Sequence, residues 1–108
     1  MLAQKYRIPK EYMEKVVKFG KGPNFKFFYV KSMANSFKNS RFVVVVGKKV
    51  AKTSVQRHLL KRRLWAILDK MDKSKFKEQT DFAFFVKTTF ISTDIPEIKQ
   101  QVEVCVLK

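Results

Sequence analysis

Acid–base or metal chemistry in this chain would have to come from nine carboxylates, one histidine and one cysteine. The carboxylates are Glu11, Glu14, Asp69, Asp72, Glu78, Asp81, Asp94, Glu97 and Glu103. Glu11/Glu14 and Asp69/Asp72 fall three apart on helical stretches, but lysines flank both pairs, which therefore read as surface ion-pair partners. Two-metal hydrolysis needs several carboxylates converging on the ions, and no such spacing occurs. His58 stands among Arg57, Lys61 and Arg62, a setting for hydrogen bonding or stacking rather than for a lone general base. Cys105 has no second cysteine for a disulfide or a cysteine zinc site, which suits a reducing compartment and makes the cytoplasm the expected location. Gly20-Lys21-Gly22 is too short to cradle a phosphate and reads as a turn. No catalytic residue and no protein-held metal are expected.

The cations are the stronger signal. There are 24 Lys and Arg against 9 Asp and Glu, a formal net charge of +15 on 108 residues. No acid lies between Glu14 and Asp69, and residues 15–68 carry 14 of the Lys and Arg. A surface that is merely soluble intersperses both signs, because like charges repel and raise the free energy of the compact state. The excess therefore points to a polyanionic partner. It is densest from Lys48 to Arg63, with Lys48, Lys49 and Lys52 in a loop and Arg57, His58, Lys61, Arg62 and Trp65 on the helix that follows. At 100° per residue the five helical side chains share an arc of about 140° that holds no acid before Asp69, in the last turn of the helix. Lysines supply point charges, and Arg57 and Arg62 can fork onto phosphates or base edges. A helix capped by Thr53 or Ser54 also offers free N–H groups to phosphate oxygens.

Positioning these residues requires a folded frame. The length suits one domain, residues 1–108, and 45% hydrophobic residues with eleven Phe suit a real core. No apolar run of 18 residues occurs and Met1 to Lys10 lacks an apolar segment, so neither a membrane span nor a secretory signal is expected. Pro9, early acids and late lysines predict a first helix over residues 10–19, closed by Gly20. After a turn at residues 20–24, Phe25 to Lys31 predicts a strand with Phe25, Phe27, Tyr29 and Lys31 on one face. Arg41 to Val46 predicts a buried strand, Ser54 to Met71 a long helix, and Asp81 to Lys87 a further strand. Leu60, Leu64, Ile67, Leu68 and Met71 form the inward stripe of the long helix. Asp94 reads as the N-cap of a last helix reaching Val106, in preference to a strand on Val102, Val104 and Val106.

Gly47-Lys48-Lys49 and Arg57-His58-Leu59-Leu60-Lys61-Arg62 resemble the bacterial ribonuclease P protein family. The family pattern is a strand ending in Ser-Lys-Lys, a short loop, then a helix with Arg-Asn-Arg and Lys-Arg. Here His58 replaces Asn, Leu59 replaces the second Arg, and the loop is one residue longer. The order of the remaining elements extends the likeness over nearly the whole chain. The resemblance implies an α+β fold, a two-layer α/β sandwich in the order α-β-β-β-α-β-α with a left-handed βαβ crossover, similar to a small-subunit ribosomal protein domain. It implies the protein subunit of a ribonucleoprotein endonuclease whose RNA, with Mg²⁺ bound chiefly by that RNA, removes the 5′ leader of precursor tRNA. The implied partners are ribonuclease P RNA and precursor tRNA, with no membrane and no required protein oligomer. Lys48, Lys49, Lys52, Arg57, His58, Lys61, Arg62 and Trp65 would meet the catalytic RNA. Met13, Val17, Phe27, Tyr29 and Lys31 would line a cleft for the leader, in which Tyr29 and Phe27 could stack bases. A structural or ribosomal RNA-binding protein is the alternative that the same charge would serve.

Overall fold

The computed structural model describes residues 6–37 and 39–108. Helix α1 is Lys10–Phe19, strand β1 Phe28–Ala34, strand β2 Arg41–Val46, helix α2 Ser54–Lys70, strand β3 Thr80–Val86 and helix α3 Ile95–Val106. The sheet order is β1-β3-β2, with β3 antiparallel to β1 and parallel to β2. The parallel pair is joined through α2, as a crossover requires. This is the expected α+β class.

Each face of the sheet buries different side chains, because successive residues of a strand point to opposite sides. Phe28, Val30, Phe42, Val44, Phe82 and Phe84 face the main core, where Leu60, Leu64 and Leu68 of α2 and Ile98, Val102 and Val106 of α3 cover them. The residues between them, Ala83, Val43, Met33 and Phe85, face a smaller cluster with Ile8, Tyr12, Met13 and Val16. Here α1 lies across the strands. It enters beside β2, where the Ile8 N–H donates to the Phe42 carbonyl at 3.0 Å, and leaves beside β1, where Lys21 and Ser32 exchange backbone bonds. Val16 is its buried contact.

Two boundaries and one cap depart from expectation. First, β1 starts at Phe28 and runs to Ala34, whereas the aromatic run predicted Phe25 to Lys31. The chain bends at Lys26 and Phe27, and the Phe25 N–H closes onto the Phe28 carbonyl at 2.8 Å. The bend breaks the alternation, so Phe27 turns into the main core against Phe90 instead of joining Tyr29. Second, residues 21–24, read as a turn, pair antiparallel with β1 through Lys21↔Ser32 and Asn24↔Tyr29. Counted with them, the strand order is the expected β-β-β before α2. A Cβ on Gly22 would sit 2.4 Å from the Val30 carbonyl oxygen, so glycine permits this pairing. Third, Asp94 holds the N-cap position of α3 as expected, but its carboxylate accepts from the Ile91 N–H at 2.9 Å, closing the turn before the helix, rather than from an N–H of the helix itself. The last segment is helical, with Val102, Cys105 and Val106 buried and Val104 exposed. Burial pushes the Cys105 thiol pKa up, and nearby Lys77 opposes the shift.

One polar network sits inside this apolar frame. Arg41 and Asp81 are register partners on β2 and β3. Arg41 Nε donates to Asp81 Oδ1 at 2.9 Å and Nη2 to Oδ2 at 2.7 Å, and both side chains are buried. Asn35 Nδ2 adds a third bond to Oδ1 at 2.7 Å. Removing one member of a buried pair leaves an uncompensated charge. Asp81→Ala should therefore lower the unfolding free energy by about 3–5 kcal/mol, read by urea denaturation, whereas Arg41→Met with Asp81→Leu should recover most of it. Equal loss in the single and double variants would show that the pair is not held as described.

Candidate nucleic-acid interface

Two surfaces gather the residues with affinity for nucleic acid. The first is a basic cleft of about 380 Å³ between α2 and the segment that precedes α1. His58, Lys61, Arg62 and Trp65 line one wall, and Arg7 and Ile8 the other. Thr53 starts α2 as anticipated, its hydroxyl accepting from the Gln56 N–H at 3.2 Å. The inward stripe Leu60, Leu64, Leu68 then fixes the helix rotation, which turns the basic arc toward the cleft. Trp65 lies in the floor, only 7% exposed, with the Arg7 guanidinium 5.5 Å from its ring centroid. Arg7 was missed in the sequence, since it belongs to a flank that is nearly neutral overall. The pairing of Arg7 with Phe42 on the β2 edge brings it here.

The other cations of the basic segment divide between two roles. Lys48, Lys49 and Lys52 are exposed on the loop ahead of the helix, outside the cleft wall. Arg57 turns back on that loop, where Nη1 donates to the Ala51 and Lys52 carbonyls at 3.0 and 3.1 Å. Its structural contribution is to hold the lysine loop against the helix. Arg63 points elsewhere, donating to the Phe90 carbonyl at 2.5 Å. Leu59, where the family pattern has arginine, is exposed.

The second surface is the part of the sheet that α1 leaves uncovered. Tyr29 stacks on Phe85 with ring centroids 4.8 Å apart and planes 8° from parallel. The two are cross-strand partners on β1 and β3, which is the closest approach two strands offer. The Lys31 ammonium lies 5.7 Å from the Phe85 centroid and donates to the Val17 carbonyl at 2.7 Å. A cation on the last carbonyls of a helix is electrostatically favoured. Val17, Tyr29 and Lys31 therefore come together as expected. Met13 is half-buried in the smaller cluster beside them, and Phe27 is absent from this face. Phe85 was missed because the run Phe82 to Val86 is apolar throughout and does not declare its faces. Among the described residues no three His, Cys, Asp or Glu gather as metal ligands.

A family model described as Ribonuclease P matches residues 3–108. No curated protein matches the chain. Among solved structures, a mutant of the Staphylococcus aureus RNase P protein, described as defective in mRNA degradation activity, is similar with a TM-score of 0.82 and 21% identity, over 96% of this chain and 92% of that one. The S. aureus RNase P protein itself gives 0.79 and 19%, over 93% and 94%. The RNase P protein of Thermotoga maritima gives 0.67 and 20%, over 91% and 88%. At such identities the structures speak for the fold, and the family match over nearly the full length carries the assignment: the chain belongs to the ribonuclease P protein family.

Proposed function

We propose that this protein acts as the RNA-binding subunit of a ribonuclease P ribonucleoprotein, with the basic α2 cleft and the lysine loop on the catalytic RNA and the uncovered sheet face on the 5′ leader of precursor tRNA. One observation carries the reading. The Tyr29–Phe85 stack stands half-exposed beside the Lys31 ammonium, on a face that α1 leaves open. An aromatic platform next to a cation suits single-stranded nucleic acid, since every base has a π-face and every nucleotide a phosphate.

The chemistry belongs to the partner RNA in this reading. Mg²⁺ held by that RNA would activate the attacking water and stabilise charge at the scissile phosphate. The protein's carboxylates do not fit a cation site, since Asp81 is engaged by Arg41 and Asn35 and the acids at Asp69, Asp72 and Glu78 sit among lysines. The contribution of the chain is to neutralise phosphates with Lys48, Lys49, Lys52, Lys61 and Arg62, His58 adding a hydrogen bond or a stacked ring and Trp65 forming the apolar floor, and to hold the leader at Val17, Tyr29, Lys31 and Phe85. The same proposal needs no protein oligomer. No described helix is long and apolar enough to cross a membrane. A cytoplasmic location is part of the same proposal.

Reconstitution tests it. Added to a bacterial ribonuclease P RNA, the protein should lower the Mg²⁺ concentration needed to cleave precursor tRNA; an unchanged requirement would leave a structural RNA-binding protein instead. Within the reconstituted complex, Tyr29→Ala should weaken binding of leader-bearing tRNA by about 1–3 kcal/mol while mature tRNA binds as before. Equal loss for both tRNAs would remove the leader from this face.

A further inference from the structure

Helix α1 divides the open sheet face into two grooves. Met13 and Val17 border the one assigned to the leader, Val16 lies underneath, and Tyr12 and Lys15 border a second groove of about 310 Å³ on the opposite flank. The far wall of this second groove is Phe37, in the loop between β1 and β2. We propose that it binds one unstacked base of single-stranded RNA, with the Phe37 ring as platform and Lys15 on the adjoining phosphate. The proposal rests on the reading of this chain as an RNA-binding subunit.

The ring is held in place by contacts that leave it partly exposed. The Arg41 guanidinium lies 4.1 Å from the Phe37 ring centroid, and Tyr12 packs against the ring in a T-shaped pair at 5.8 Å and 86°. Asn35 fixes the loop from both ends of its amide, accepting from the Phe37 N–H at 2.9 Å and donating to Asp81 at 2.7 Å. Asn35 is itself anchored, its N–H donating to the Gln79 carbonyl at 2.8 Å. Phe37 nevertheless stays 40% exposed. A ring needed only to shield the ion pair gains from deeper burial, whereas a preorganised exposed ring lowers the ordering cost of a stacking ligand. Charge selects the ligand. The one acid in the lining, Asp81, is paired with Arg41, which leaves Lys15 as the net charge at the rim.

Fluorescence anisotropy with a labelled, unstructured RNA of about 12 nucleotides tests this, with a duplex RNA as control. Phe37→Leu keeps an apolar cover on Arg41 but removes the stacking face. It should weaken single-strand binding about fivefold or more and leave duplex binding and the thermal midpoint unchanged. Lys15→Gln, on an exposed helix position, should lower the slope of log affinity against log salt by about 0.7. It decides the matter if the Phe37 variant does not fold. Wild-type binding by both variants, with weakened binding by Tyr29→Leu, would overturn this groove and leave the leader cleft standing. Equal loss on single strand and duplex would also overturn it. Failure of the unaltered protein to bind the single strand at all would also overturn the groove, whereas loss of the RNA-subunit reading would show as an unchanged Mg²⁺ requirement in the reconstitution.

Discussion

The register of β3 between its two neighbours is the constraint on which every candidate site depends. It sets Phe85 opposite Tyr29 on one side and Asp81 opposite Arg41 on the other. A slip of one residue would send Phe85 into the main core and Phe84 to the open face, because side chains alternate along a strand. Hydrophobicity holds the register. Phe82, Phe84 and Val86 must face α2 and α3, and stacked Phe42–Phe82 and tilted Phe28–Phe84 pairs lock each neighbour to that choice. Such aromatic contacts contribute about 0.5–1.5 kcal/mol each beyond the area they bury.

A consistent division of labour follows across the sheet. The face toward α2 and α3 is apolar and closed, and it fixes the rotation of α2 so that His58, Lys61 and Arg62 reach the cleft beside β2. The face toward α1 is only partly covered, since a ten-residue helix laid across three strands leaves sheet on either flank. Aromatic rings stand on both flanks, Tyr29 and Phe85 on one, Tyr12 and Phe37 on the other. Each group has a cation with it, Lys31 or Lys15 with Arg41. Part of the large positive charge is thus placed for contact, beside exposed rings on one sheet face and along one helix-lined cleft.

How much of this was legible beforehand differs by residue. The long helix and its buried stripe were plain, because Leu60, Leu64 and Leu68 repeat at helical spacing against a polar background. The basic arc followed from the same wheel. The bend at Lys26 and Phe27 was hidden, because a run apolar on both faces carries no alternation to interrupt. Phe85 was hidden for the same reason. Arg7 entered the cleft through a pairing with Phe42 that no local pattern announces. The pair Arg41 and Asp81 lies 40 residues apart in the chain, so only the register of parallel strands makes them partners. Arg57 was expected at the polyanion, and its bonds to the Ala51 and Lys52 carbonyls of its own loop had no signal in the sequence.

In the proposed complex the RNA affinity resides in the α2 cleft and its loop rather than in net charge alone. The most direct measurement is the salt dependence of affinity for ribonuclease P RNA in two variants of equal charge, one with Lys52, Lys61 and Arg62 changed to Gln and one with Lys73, Lys75 and Lys77 so changed. The first should reduce the slope of log affinity against log salt by about 2–3 units, since each lost phosphate contact removes roughly 0.7–0.9, and the second should leave it near that of the unaltered protein. Equal reductions in the two variants would contradict the account.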